Sequence, residues 1–345
     1  MDKKGRKRGV TIRDIARELN VTPSTVSRAL NGSPRISTER KEEVLAVAKQ
    51  LNYRPNQLAT SLRTGKGKML GVMVPTTDRS FFSSVIRGIE EEASAAGYSV
   101  MICQSHDLVA KEKQNIASFL GAQVDAVLAS LAMEKSKFTH YERITEENTP
   151  LVLFDRITDN ISVNKIIIND FSGAKKVMHH LFEQGYTRIA HLAGPQQVAL
   201  YAERVRGYKA ALAEKEIPFD PDLCIECTQI LAEGYRAAQK LMGLAHPPDA
   251  IFASGDYAAM GAMQYLQERQ IKIPEEIGIA GFSNESFTSL VNPSITTVDQ
   301  HSLQMGITAA KLALSLAESP VQTAQTTVLE PSLIIRNSSK RKPEP

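Results

Sequence analysis

From residue 69 onward the chain alternates short apolar runs with longer amphipathic stretches, and that rhythm leaves few folds open. Runs at 70–74, 99–103, 126–129 and 151–154 have the length and composition of strands buried on both faces. Helical stretches near 83–96, 109–121 and 135–148 separate them. The rhythm then starts again, with strands at 166–168, 188–193, 250–253 and 277–281 and helices near 171–184, 201–215, 233–243 and 257–269. Strand–helix alternation of this kind builds parallel sheets with helices on both faces. Two successive runs imply two lobes, each presenting the loops at its strand C-termini to a shared crevice where a small ligand would sit.

The first 68 residues differ in kind. They hold 16 Lys/Arg against 6 Asp/Glu, whereas residues 69–345 hold 25 against 32, so the formal charge of +3 conceals a basic head on an acidic body. A basic segment is where a polyanion binds, because each phosphate it neutralises releases condensed counterions. Within this head, Thr11 and Asp14 have capping-box spacing, and Ile12, Ile15, Ala16 and Leu19 form one apolar stripe. Asn20 and Val21 break the period. Thr22 then supplies a second N-cap, with Pro23 at the first helical position, where a missing N–H does no harm. Val26, Ala29 and Leu30 face inward on this second helix, while Ser24, Thr25, Ser27, Arg28 and Asn31 face out. Small hydroxyls and one arginine suit a helix that enters a major groove, where a guanidinium can bond both acceptors of a guanine. A third helix begins at Ser37, with Val44, Ala48 and Leu51 as its core stripe.

Other classes are set aside by what the chain does not contain. No apolar stretch approaches the length of a membrane span, and the basic run at 3–8 leads into no export-signal core, so a cytoplasmic protein is expected. Three cysteines are too few for a disulfide framework, and Cys224-Ile-Glu-Cys227 has no second pair to complete a zinc site. Dinucleotide and phosphate-loop glycine motifs are missing. Gly281-Phe-Ser283 opens like a nucleophile elbow but lacks the closing glycine. The sequence therefore points to no enzyme, no metal and no cofactor. An exported binding protein would have no use for residues 10–63, and a nonspecific DNA-coating protein would have none for the two lobes.

Thr11-Ile-Arg-Asp-Ile-Ala, Val21-Thr-Pro-Ser-Thr-Val-Ser-Arg-Ala-Leu-Asn31 and Leu51-Asn-Tyr-Arg-Pro-Asn56 resemble the N-terminal domain of the lactose/galactose repressor (LacI/GalR) family. Gly185-Tyr-Thr-Arg-Ile-Ala-His-Leu-Ala-Gly194, Arg204-Val-Arg-Gly-Tyr208, Gly255-Asp-Tyr-Ala-Ala-Met-Gly261 and Gly281-Phe-Ser-Asn284 are similar to its effector domain. The resemblance implies a helix-turn-helix domain over 1–56, a hinge helix and linker over 57–68, and a two-lobed, periplasmic-binding-protein-like α/β domain over 69–338 with a tail at 339–345. The first lobe would take 69–168 and 300–322, the second 169–299 and 323–338. It further implies a homodimer on a pseudo-palindromic double-stranded operator, most often as a repressor, controlled by a small effector of the sugar or sugar-acid class.

Carried over by position, Pro23, Ser24 and Arg28 stand where bases are read, and Thr22, Thr25, Ser27, Asn31, Tyr53 and Asn56 where the DNA backbone is touched. Leu62 stands where a leucine wedges open a minor-groove base step, and Arg63 in the basic hinge beside it. Phe81 and Phe82, read as a loop after the first strand, and Arg156, Asn169, Asp170, Arg204, Asp256 and Ser283 occupy effector positions. One departure matters: Ser283 replaces an aspartate of the family pattern, which argues for an anionic group on the effector facing Arg204 and Arg156.

The wedge has a measurable signature. Burying a leucine side chain is worth about 1.5–3 kcal/mol, so Leu62→Ala is expected to weaken operator binding by about tenfold or more while nonspecific binding changes little. Equal losses on operator and random DNA in a salt-controlled filter assay would contradict the assignment.

Overall fold

The computed structural model describes residues 10–53, 67–319 and 323–341. They belong to two compact units that divide between Gly67 and Lys68. The first unit holds three helices, α1 (Ile12–Glu18), α2 (Pro23–Leu30) and α3 (Thr38–Gln50). Each begins where the sequence supplies a cap. The Asp14 carboxylate accepts from the Thr11 N–H at 2.8 Å and the Thr11 hydroxyl at 2.7 Å. Thr22 Oγ1 accepts from the Thr25 N–H at 3.2 Å, and Ser37 Oγ from the Arg40 N–H at 3.3 Å. The first helix stops where Asn20 turns left-handed at φ +50°, a conformation asparagine tolerates better than most residues. Ile15, Ala16, Val26, Ala29, Val44 and Ala48 form the buried core, with Ile12, Leu19, Leu51 and Tyr53 packed against it. So small a core leaves the outer face of α2 unobstructed.

The second unit contains two parallel sheets. One lobe is built from β1 (Met69–Val74), α4 (Ser80–Ala95), β2 (Ser99–Gln104), α5 (Val109–Gly121), β3 (Ala126–Ala129), α6 (Glu142–Glu146), β4 (Leu151–Phe154) and β5 (Asn164–Ile168). The other contains α7 (Asp170–Glu183), β6 (Ile189–Ala193), α8 (Ala199–Glu214), β7 (Cys224–Glu226), α9 (Leu231–Met242), β8 (Ala250–Ala253), α10 (Asp256–Glu268), β9 (Gly278–Ala280) and β10 (Thr297–Asp299). The chain then returns through α11 (Ser302–Glu318) and β11 (Thr326–Leu329) to the first lobe and ends on β12 (Ser332–Ile334) in the second. Strand order is β11-β5-β4-β3-β1-β2 in the first sheet and β7-β6-β8-β9 in the second, all neighbours parallel. Strands β10 and β12 pair antiparallel. Among the described residues no helix is long and apolar enough to cross a membrane.

Three expectations need correction. Residues 326–329 hydrogen-bond along β5 and so belong to the first lobe, although 323–338 as a whole was expected in the second. A short run such as Thr-Thr-Val-Leu announces a strand but not which sheet will take it. Strand β2 is a sheet edge with Ile102 45% exposed, so it is not buried on both faces. The helix expected over 135–148 is a single 3-10 turn at Thr139–Tyr141 followed by the five residues of α6.

Helices α4 and α11 pack unusually closely, and glycine permits it. A methyl group on Gly88 would overlap the Leu303 carbonyl of α11, and one on Gly306 would overlap the Val85 carbonyl of α4. Backbone cannot step aside as a side chain can. Overpacking a filled contact costs about 1–3 kcal/mol, so Gly306→Ala is expected to lower the unfolding free energy by that amount in urea titration. An unchanged midpoint would show that the two helices are free to separate.

Candidate functional site

On the first unit, the exposed face of α2 carries a cluster of hydroxyls at its N-terminus. Thr22 Oγ1 lies 2.8 Å from Ser24 Oγ and 2.9 Å from Thr25 Oγ1, with Pro23 beside them. Ser24 and Arg28 are exposed on this helix and Ser27 is half-buried. The Asn31 amide donates to the Ser27 carbonyl at 2.6 Å and so closes the C-terminal turn. Tyr53 is half-buried against the three-helix core, and burial raises its phenol pKa. Positive partial charge at the helix N-terminus, hydroxyl donors and one guanidinium together make a surface suited to phosphates and base edges. Asn56, Leu62 and Arg63 lie outside the described residues.

In the second unit a narrow cleft lies between the two lobes, with about 40 Å³ of free space in this arrangement. Phe81 and Phe82 line it from the first lobe. They sit in the first turn of α4 and not on a loop, both are buried, and their rings meet edge to face at 5.0 Å. An adjacent aromatic pair can thus serve core and cleft together, because the start of a helix at a lobe margin belongs to both. Asp155 and Arg156 follow β4. Asp155 stands at φ +60° with its N–H bonded to the Ile166 carbonyl at 3.0 Å, and it lines the cleft. Burial raises its pKa, against the opposing charges of Arg156 and Arg204. Arg156 is held by Asp107 and lies 5.7 Å from the Phe82 ring centre.

Across the cleft, Arg204 on α8 is 3% exposed. Its Nε donates to Asp170 Oδ1 at 2.7 Å and its Nη1 to the Ser254 carbonyl at 2.6 Å. Burial drives the Asp170 pKa up to about 6 even with Arg204 beside it. Asp256 accepts from the Thr297 hydroxyl at 2.7 Å and the Glu285 N–H at 2.8 Å, and burial pushes it up to about 7. These bonds hold a turn in which Ser283 stands at φ +120° and Asn284 at +51°. A non-glycine residue persists there only when neighbours over-determine it. Ser283 Oγ accepts from Gln300 Nε2 at 2.7 Å.

Phe81, Phe82, Arg156, Arg204, Asp256 and Ser283 therefore meet at one cleft, but two expected partners do not line it. Asn169 is the N-cap of α7, accepting from the Ser172 N–H at 3.0 Å and donating to Glu330 at 2.7 Å. Asp170 stands behind Arg204 as its counter-charge. Position at a strand end placed both near the cleft, and the demands of the helix start and of the arginine turned them away. The sequence reading missed Arg79, Asp155, Tyr201, Gln229, Tyr257, Glu285 and Gln300, which also line the cleft. Several of these join the lobes directly. Arg79 Nη2 donates to the Gln229 carbonyl at 3.2 Å, and the Ser80 N–H donates to Glu285 at 2.9 Å.

Cys224 and Cys227 are free thiols. Burial raises both, Cys227 up to about 12, so neither offers a thiolate at neutral pH. Among the described residues no group of three or more His, Cys, Asp or Glu side chains is arranged to hold a metal ion.

Comparison with known proteins bears on both units. Residues 11–56 match the model for bacterial regulatory proteins of the lacI family, and residues 178–339 match that for a periplasmic binding protein-like domain. The probable HTH-type transcriptional repressor ExuR of Bacillus subtilis (strain 168) is 30% identical over 337 residues, covering 96% of this chain and 99% of the relative. The ribose operon repressor of Halalkalibacterium halodurans is 30% identical over 331 residues, covering 96% and 97%. Among solved structures, the complex of the transcriptional regulator CelR with cellobiose is 25% identical, with a TM-score of 0.72 over 95% of this chain and 99% of that one. The lac repressor dimer bound to operator and the anti-inducer ONPF is 24% identical with a TM-score of 0.87, covering 97% and 100%, a likeness of fold.

Asp256 gives the cleft a pH signature. A carboxyl raised to about 7 in the folded state favours folding most at low pH, and that contribution is lost as pH rises through 7. Asp256→Asn has no proton to lose. Its stability relative to the parent should therefore improve by on the order of 2 kcal/mol between pH 5 and pH 8 in urea titrations. A difference that does not change with pH would mean that the Asp256 carboxylate is not destabilised by burial.

Proposed function

The chain belongs to the LacI family of bacterial regulatory proteins, DNA-binding transcriptional repressors, and we propose that a sugar held between its two lobes sets its grip on one operator. Ser24 and Arg28, exposed on one face of α2, are the base readers, with Pro23 contributing apolar contact. Thr22, Thr25, Ser27, Asn31 and Tyr53 position the helix on phosphates, and Asn56, Leu62 and Arg63 complete the grip from the hinge. Two copies pair through their second units and present two reading heads to a pseudo-palindromic site. The protein works in the cytoplasm, on the nucleoid, and carries out no chemical step on its effector.

The observation that carries the proposal is the cleft itself: buried carboxylates, arginines and an aromatic pair line it together, on a chain that also carries a DNA-reading head. Acceptors and donors converging beside aromatic faces are what a polyhydroxylated ring requires. The geometry also bears on the class of sugar. Arg156 already faces Asp107 and Asp155, and Arg204 faces Asp170, so two of the three arginines that line the cleft are paired with carboxylates, while Arg79 donates to the Gln229 carbonyl and lies over the Tyr257 ring. A neutral sugar is favoured, which reverses the preference drawn from Ser283 alone.

A ligand bound only by the native state raises its stability by mass action, by about 2.7 kcal/mol at a hundred times its Kd. A thermal-shift panel of neutral sugars, sugar acids and sugar phosphates is expected to yield a neutral sugar that raises the unfolding midpoint. The same sugar should change operator affinity by about 5–150-fold in a mobility-shift titration. Binding with no change at the operator, or no binding across the panel, would overturn the proposal.

A further inference from the structure

Helix α4 begins without a cap of its own. Its N-cap residue is Arg79, extended at φ −100° and ψ 134°, whose side chain makes no capping bond, and its first turn holds no acidic residue. A guanidinium only donates, so it cannot satisfy the free N–H groups of a helix start, and its charge opposes the positive end of the helix dipole. The missing acceptor comes from the other lobe. The Glu285 carboxylate accepts from the Ser80 N–H at 2.9 Å and from the Ser80 hydroxyl. Ser80 Oγ in turn accepts from the Ser286 N–H at 3.1 Å. Ser80 is the first residue of α4 and Ser286 the first of the 3-10 turn Ser286–Ser289, so each lobe caps the helical start of the other. The pattern is that of a capping box, in which a hydroxyl and a carboxylate each take a backbone N–H from the other's segment. Here the two segments are 205 residues apart.

Neither half can follow the other if the lobes part. Glu285 is 3% exposed and fixed in the second lobe, its N–H donating to Asp256 at 2.8 Å. Its carbonyl accepts from the Thr288 N–H at 2.9 Å and the Thr288 hydroxyl at 2.6 Å. Ser80 is fixed in the first lobe by α4, whose backbone meets that of α11 at Gly88 and Gly306. Helix α5 shows the same device inside one lobe. Its N-cap Leu108 offers no side-chain acceptor, and Glu134 accepts from the Val109 N–H at 2.6 Å. Glu134, between β3 and α6, stays with α5 whatever the lobes do. We propose that Ser80, Glu285 and Ser286 form an interlobe latch, a capping box split between the lobes, which holds the cleft closed without ligand and ties the first turn of α4 to that closure. When the lobes separate, α4 loses its cap and the turn that carries Phe81 and Phe82 frays. The balance between lobe arrangements is then set in part by the protein's own bonds, before any ligand adds its difference in affinity.

The test uses the full-length protein without ligand and hydrogen exchange read by mass spectrometry in peptides spanning 78–83 and 284–289. Glu285→Ala removes the acceptor of the Ser80 N–H but leaves Ser80 Oγ for Ser286, and Ser80→Ala does the reverse. Each variant is expected to speed exchange roughly tenfold in both peptides, including at the amide whose own acceptor is intact. Glu285→Gln keeps an acceptor oxygen without the charge and should fall between the parent and Glu285→Ala. Small-angle X-ray scattering should give both alanine variants a larger radius of gyration than the parent. Exchange that rises only at the amide deprived of its acceptor would show two independent local bonds and overturn the latch. An unchanged radius of gyration would overturn it too, since the lobes would then stay together without it. Unchanged exchange over 78–83 in Glu285→Ala would remove the cap itself.

Discussion

A guanidinium that is 3% exposed must find its partners inside the protein, and Arg204 draws them from four separate parts of the chain. Asp170 comes from the start of α7, the Ser254 carbonyl from the end of β8, and Gln300 from the segment returning to the first lobe, its Oε1 accepting at 3.4 Å. The Phe282 ring centre lies 3.6 Å away. Removing such a charge from water is expensive unless it is paired and bonded, and breaking one partner of a buried pair destabilises by about 3–5 kcal/mol. The network does not end there. Ser254 Oγ bonds His191 Nε2 at 3.2 Å, and Gln300 Nε2 bonds Ser283 Oγ at 2.7 Å. The wall of the cleft in the second lobe is therefore fixed outward from one arginine, which pre-organises it for a ligand.

That arginine was legible in the sequence, and so was most of what is local. The caps at Thr22 and Ser37 and the runs at 126–129, 151–154 and 250–253 fall where pattern and chemistry placed them, because each depends on neighbours a few residues away. What escaped is non-local. Ser80 and Glu285 are 205 residues apart, Arg79 and Gln229 150, and nothing in either stretch announces the other. Asn169 shows the opposite limit. Its residue type was right for a binding role and equally right for a helix cap, and the free N–H groups at the start of α7 took it. The same holds for β11, whose residues say strand but not which lobe.

Charge illustrates why residue type alone misleads about a ligand. Ser283 in place of an aspartate removes a negative charge from the cleft, which taken singly favours an anion. Three arginines line the cleft, but Asp155, Asp256 and Glu285 line it too, and Asp107 and Asp170 stand behind Arg156 and Arg204. The missing aspartate is therefore not a missing counter-charge. What it leaves is a hydroxyl that Gln300 already engages, in a turn held by Asp256. Hydrogen-bonding capacity, more than net charge, is what the cleft has to offer.

The four consecutive positions 79 to 82 place most of this chemistry on the first turn of one helix. Arg79 and Ser80 reach the opposite lobe, while Phe81 and Phe82 form part of the cleft lining. A ligand moves the balance between lobe arrangements only by its difference in affinity for them, and in this arrangement the protein's own bonds already span the mouth. The ligand's contribution is thus confined to the groups inside. Helix α4 cannot yield locally to that contribution, because Gly88 and Gly306 bring its backbone against that of α11 with no room for a methyl group between them. Close-packed elements shift as bodies and do not deform smoothly. Any change in lobe angle must therefore carry α4 and α11 together, and with them the segment at 299–302 through which the chain passes from one lobe to the other.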